Sequence, residues 1–176
     1  MTAVFYISAC VAVVATALVI TRSNAIHALL YLIVSLLAVA IVFFSLGAPL
    51  IAAFEVIIYA GAIMVLFVFI IMLLNLRVST TREIQIGSNR MWIGPGLLVF
   101  ILASELSYIL GSASDVVSPG MPISPEAVGL ALFGTYVLGV ELTSILLLVG
   151  LVGAYHLGRR PQTIPPGDGT DGRDSP

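Results

Sequence analysis

Glu55 and Tyr59 share one helical turn inside a stretch apolar enough to cross a bilayer, PLIAAFEVIIYAGAIMVLFVFIIMLLN, Pro49 to Asn75. A carboxylate and a phenol at i and i+4 meet on one helix face. Together they can pass a proton or hold water. An ionisable group within a membrane helix is expensive and is by default a functional-site hypothesis. Directly after the pair comes Ala60-Gly61-Ala62, three residues with almost no side chain. A glycine there lets the helix deform or lets another backbone come close.

Two more carboxylates fall within apolar stretches, Glu105 and Glu141. Glu141 has Thr143 and Ser144 beside it, while Glu105 has Ser104, Ser107 and Tyr108. At ~1.5 Å per residue, Glu55, Glu105 and Glu141 lie roughly 8, 9 and 12 Å from one end of their helices. The functional reading of each is a proton-relay or hydration element. The plainer one is an acid hydrogen-bonded to a neighbouring helix, and beyond its presence nothing recommends Glu105. No basic residue of the chain reaches these depths, so the acids must be protonated, hydrated or paired with a group on another chain.

The two histidines, His27 and His156, stand at the ends of apolar stretches. Two histidines at one depth could ligate a b-type haem. The commoner explanation is an interfacial histidine, and His156 beside Arg159 and Arg160 suits a helix C-terminus. No metal-ligand spacing, phosphate loop, nucleophile triad or dinucleotide fingerprint is present. The expectation is that this chain binds no metal, FMN, NADH or iron–sulfur cluster. A single cysteine, Cys10, excludes an intrachain disulfide. Ile7-Ser8-Ala9-Cys10 looks like a lipoprotein cleavage box, but no basic region precedes it and the apolar stretch runs on past it.

These residues need membrane helices to position them. The chain is 60% hydrophobic and 9% charged, with a mean hydropathy of +1.15. A soluble domain has about a quarter of its residues charged. A bilayer span takes ~20 apolar residues, and five stretches qualify, at about 3–20, 25–46, 50–74, 92–110 and 132–157. The expected fold is an all-α integral membrane protein of five transmembrane helices, one membrane domain over 1–160. A Pro-, Gly- and Asp-rich tail over 161–176 is read as disordered. All basic residues are arginines, and in a five-span arrangement Arg22, Arg77, Arg82, Arg90, Arg159, Arg160 and Arg173 fall on one side. The positive-inside rule then puts the N-terminus outside, in the periplasm, and the C-terminus in the cytoplasm. Trp92 fits an interfacial anchor. Pro49 suits a first helical turn.

Two stretches carry a family resemblance, NAIHALLYLIVSLLAVAIVFFSLGAPLIAAFEVIIYAGAIMVLFVFIIMLLN over 24–75 and FGTYVLGVELTSILLLVGLVGAYHLGRR over 133–160. Both closely resemble the subunit J family of bacterial proton-translocating NADH:quinone oxidoreductase, respiratory complex I, whose distant mitochondrial relative is subunit 6. The resemblance implies a non-redox subunit of a translocase in the bacterial inner membrane. FMN, iron–sulfur clusters and quinone would sit on other subunits. Partners would be the K, A and H subunits, the antiporter-like subunits and lipid, with no nucleic acid. It also implies a third helix that switches between α and a π-bulge near Tyr59–Ala62. A π-bulge adds one residue to a turn and rotates the rest of the helix by roughly 100°. Such a rotation would change which apolar side chains, Met64, Val65 and Phe67 among them, face a water path. Read from the residues themselves, the proton-path and coupling candidates are Glu55, Tyr59, Gly61 and Glu141, with Glu105 the weaker one. Three features depart from the family: Ala25 stands where proline is common, Glu105 stands at an expected apolar position, and the tail has no counterpart.

Two other functions compete. A subunit of a multi-chain cation/proton antiporter would co-purify without redox partners. A structural spacer would tolerate Glu55→Gln and Tyr59→Phe with no change in pumping.

Overall fold

Hydrophobic length sets the architecture, because a helix satisfies all its backbone groups within itself while it crosses hydrocarbon. The computed structural model describes residues 2–74, 90–111 and 123–159, with only the backbone of Arg90 and Met91. The described residues are helical and contain no strand. Among the described residues five stretches are long and apolar enough to cross a membrane: Thr2–Thr21, Ala25–Ser45, Pro49–Leu73, Trp92–Gly111 and Val137–Gly158. Arg77, Arg82, Arg160, Arg173 and the 161–176 tail lie outside the described residues.

Helices α1 (Thr2–Thr21) and α2 (Ala25–Ser45) form an antiparallel hairpin. Asn24 caps α2, its side chain accepting from the Ile26 N–H at 3.0 Å. Such a cap satisfies one of the four unpaired donors at a helix start. The hairpin is closed by small and polar side chains. Ser35 Oγ lies 2.8 Å from Thr16 Oγ1 and donates to the Ala12 carbonyl at 3.1 Å. Ala15 and Ala38 are fully buried, which lets the helices approach closely, as membrane helix pairs require.

At its far end α2 stops at Gly47, the residue with φ 80°. The Gly47 N–H bonds to the Phe44 carbonyl and the Ala48 N–H to the Phe43 carbonyl, both at 3.1 Å. This is the Schellman arrangement, which favours glycine at the left-handed position. Pro49 then opens α3 (Pro49–Phe54) in its first turn, as expected of proline. The third span runs on through a π-helical segment (Glu55–Ile63) into α4 (Met64–Leu73).

The fourth span is α5 (Arg90–Gly111). It joins α1 and α2 in one core of Val11, Ala15, Tyr31, Val34, Ala38, Leu98 and Leu102. Tyr31, 2% exposed, is the largest buried side chain. The Arg22 guanidinium lies 5.4 Å from its ring centroid, within cation–π range. Its hydroxyl rests on Gly94, where any Cβ would collide with it.

The fifth span begins later than the apolar run suggests. A separate helix α6 (Pro125–Phe133) comes first, capped by Ser124, whose hydroxyl accepts from the Ala127 N–H at 3.2 Å. The turn Gly134–Tyr136 comes next, and α7 (Val137–Gly158) is the span proper. The helical pattern breaks where Tyr136 N–H bonds to the Ala131 carbonyl at 3.0 Å, one residue beyond α spacing. The described residues up to Val128 and those from Gly129 onward form two separate compact units.

The Tyr31–Gly94 contact makes a specific expectation. Gly94→Ala should destabilise the protein by about 1–3 kcal/mol through overpacking, read as a lower melting temperature. Adding Tyr31→Phe should recover most of the loss, since the next ring atom lies at an ordinary 3.4 Å.

Candidate functional site

The third span changes its hydrogen-bond register in mid-membrane. From Glu55 to Ile63 the helix is π-type, with α-helix on both sides. At its exit the Met64 N–H reaches back to the Tyr59 carbonyl, five residues away, as well as to that of Gly61. π segments are rare, mostly a single turn, and frequent at functional sites. This one coincides with the stretch that holds the membrane carboxylate, the phenol and the glycine.

Glycine at position 61 has a geometric reason. A Cβ there would lie 3.2 Å from the Val56 carbonyl oxygen, five residues back. In the wider π turn that carbonyl leans over position 61, so a side chain makes the segment tight. In a regular α-helix the preference reverses, and alanine is better than glycine by about 1 kcal/mol.

Glu55 opens the segment and is turned inward, 9% exposed. Tyr59 is half exposed. Beyond the segment Met64 is buried, whereas Val65 and Phe67 are exposed. The π segment packs on α2 and on its own flanking helices. Beside it lies an apolar cavity of about 560 Å³ between α2, α3 and α5. Ala52, Ala53 and Val56 line it where α gives way to π. The site therefore combines a buried acid, an altered helix register and adjacent free volume.

The other acids stand in different settings. Glu105 is buried in α5 and accepts a hydrogen bond from Ser8 of α1. Sequence reasoning missed this partner, which belongs to the same chain. The signal lay in matched spacing: Ser8 and Glu105 each sit on the buried stripe of their helix. Glu141 is exposed on α7, and the adjacent Thr143 hydroxyl bonds its own helix at the Gly139 carbonyl. The His27 ring packs edge-on to Trp92 at 6.2 Å, and both its nitrogens are buried without a partner among the described residues. His156 is exposed in the last turn of α7. Among the described residues no three His, Cys, Asp or Glu side chains gather as a metal site.

Comparison with known proteins fixes the family. The model for NADH-ubiquinone/plastoquinone oxidoreductase chain 6 matches residues 15–157. The chain belongs to this family. A relative in Escherichia coli K12 is 54% identical over 156 residues, covering 88% of this chain and 85% of its own. One in Pseudomonas aeruginosa is 51% identical over 158 residues, covering 89% and 95%. Another, in Buchnera aphidicola from Acyrthosiphon pisum, is 49% identical over 156 residues, covering 88% and 92%. All three are named NADH-quinone oxidoreductase subunit J. Family membership and five membrane-length helices together make this chain a multi-pass membrane subunit, and the π segment falls inside the matched region.

Gly61→Ala should shift the third span from π toward α. Relief of the Val56 contact and the alanine propensity act in the same direction, and about 1 kcal/mol moves the balance roughly fivefold. Electron cryo-microscopy of the variant assembly reads it directly: the Tyr59 carbonyl should accept from the Ile63 N–H in place of Met64.

Proposed function

We propose that this chain, a membrane subunit of NADH-quinone oxidoreductase, couples quinone reduction to proton translocation through its third span. The observation that carries the reading is the π segment itself, which begins at Glu55 and contains Tyr59 and Gly61. Conversion between π and α re-pairs backbone groups within the helix and exposes none of them to lipid. It also turns α4 by roughly 100°, the advance of one residue. Met64, now buried, would swing off its position, and Val65 and Phe67 with it. Those three side chains would close or open a water path.

In this reading Glu55 supplies the acid of the hydrated path and Tyr59 a second proton-bearing group one turn on. Glu141, exposed on α7, would meet a neighbouring subunit or its water. The redox chemistry is external to the chain: FMN, iron–sulfur clusters and quinone are held by other subunits. Its neighbours are expected to be the K, A and H subunits and the antiporter-like subunits of the inner-membrane complex. Arginine placement supports a periplasmic N-terminus.

The assembly that co-purifies with this chain in mild detergent should reduce quinone with NADH in an inhibitor-sensitive way. A stable assembly without redox subunits would favour the antiporter function instead. Within an active complex, Glu55→Gln should lower pumping several-fold with assembly intact, and Tyr59→Phe should lower it less. Full pumping in both variants would make the third span a spacer.

A further inference from the structure

The buried residues of α1 are Val4, Ser8, Val11 and Ala15, and those of α5 include Leu98, Leu102, Glu105 and Ile109. Both sets keep a four–three–four spacing, the pattern of an interlocking helix seam. Each stripe is apolar except for one residue, and those two residues meet. Ser8 Oγ donates to Glu105 Oε2 at 2.7 Å, with Ser8 at 0% and Glu105 at 7% exposure. The remaining carboxyl oxygen, Oε1, is buried and has no partner among the described residues.

The apolar residues of both stripes pack mainly into the core shared with α2, where Val, Leu and Ile are nearly interchangeable and tolerate several helix alignments. The Ser8–Glu105 rung does not. A shift of α5 along α1 would leave a buried carboxyl with no hydrogen bond, which apolar surroundings penalise heavily. One polar rung in an apolar seam is the best-attested way to fix helix register. The carboxyl also faces α1, on the core side of α5, and its only hydrogen bond among the described residues is to Ser8.

We propose that Ser8 and Glu105 form a register pin, unchanged through turnover, that clamps α1 and α5 around α2. It makes these three helices the stationary frame, and Glu105 serves the frame without carrying protons. The stationary role rests on the proposed switching of the third span; the pin itself does not.

The test uses the whole complex carrying variants of this chain. Ser8→Ala strips the carboxyl of its donor and should lower the melting temperature of the complex by several degrees. Adding Glu105→Leu removes the stranded acid and should restore most of that loss. Glu105→Gln keeps an oxygen for Ser8, and protons translocated per NADH oxidised should equal the parent value. The double variant should match it too, so the measurement survives poor assembly of any single one. Parent-like melting of Ser8→Ala, or a double variant no more stable than Ser8→Ala, overturns the pin. A reduced proton-to-NADH ratio in Glu105→Gln and in the double variant overturns the stationary role and makes Glu105 a carrier. Should Glu55→Gln pump normally, the switch fails, while the melting series still decides the pin.

Discussion

Hydrocarbon offers a backbone amide nothing to bond to, and every other feature of this chain is arranged around that fact. A membrane helix that changes shape must keep its backbone groups paired, and re-pairing its amides with carbonyls one residue further away does so within the helix itself. The π segment over Glu55–Ile63 is such a re-pairing, with the Met64 amide reaching to Tyr59. At Gly61 the Val56 carbonyl comes close enough, 3.2 Å from where a Cβ would stand, that a side chain there requires it to give way by a few tenths of an ångström. Glu55 sits at the start of the altered register, where α3 ends, next to the cavity lined by Ala52, Ala53 and Val56.

Around this segment the remaining helices of the same unit differ in how firmly they are held. Helices α1, α2 and α5 are joined by buried alanines, by the Thr16–Ser35–Ala12 contacts, by Tyr31 against Gly94 and by Ser8 with Glu105. Close approach and interhelical hydrogen bonds are the main attractions available where lipid is as apolar as the side chains. In contrast, α4 buries only Met64. Strong and weak packing are thus segregated: the frame is on one side of the π segment, and a loosely held helix comes after it.

Much of this was legible in the sequence, and the rest was hidden for physical reasons. Five spans are set by apolar length, and Gly47-Ala48-Pro49 reads as a sharp turn because only glycine takes the left-handed position easily. The position of the π segment came from family resemblance, since glycine between alanines marks a deformable helix without saying how it deforms. Sequence also left open which face of each helix is buried. Helix α4 is apolar all round, so no stripe distinguishes lipid from protein. The break between α6 and α7 was hidden in the same way, inside an apolar run interrupted by little more than Gly134 and Thr135. Glu105 looked isolated because its partner Ser8 lies nearly a hundred positions away, |i−j| = 97. Pairings of that separation are decided by packing.

The turn at Gly47–Pro49 has one more consequence. It joins α2 to the third span with no slack, locked by two backbone bonds and by the Ile123 amide on the Gly47 carbonyl at 3.1 Å. The start of the third span is therefore anchored like the fixed end of a torsion bar. Any twist generated between Glu55 and Ile63 has a single outlet, downstream through α4, whose exposed Val65, Leu66, Phe67 and Phe69 meet few obstacles within this chain. The subunit thereby acquires a direction: strain at one point of the span is delivered to one end of it and not shared between two.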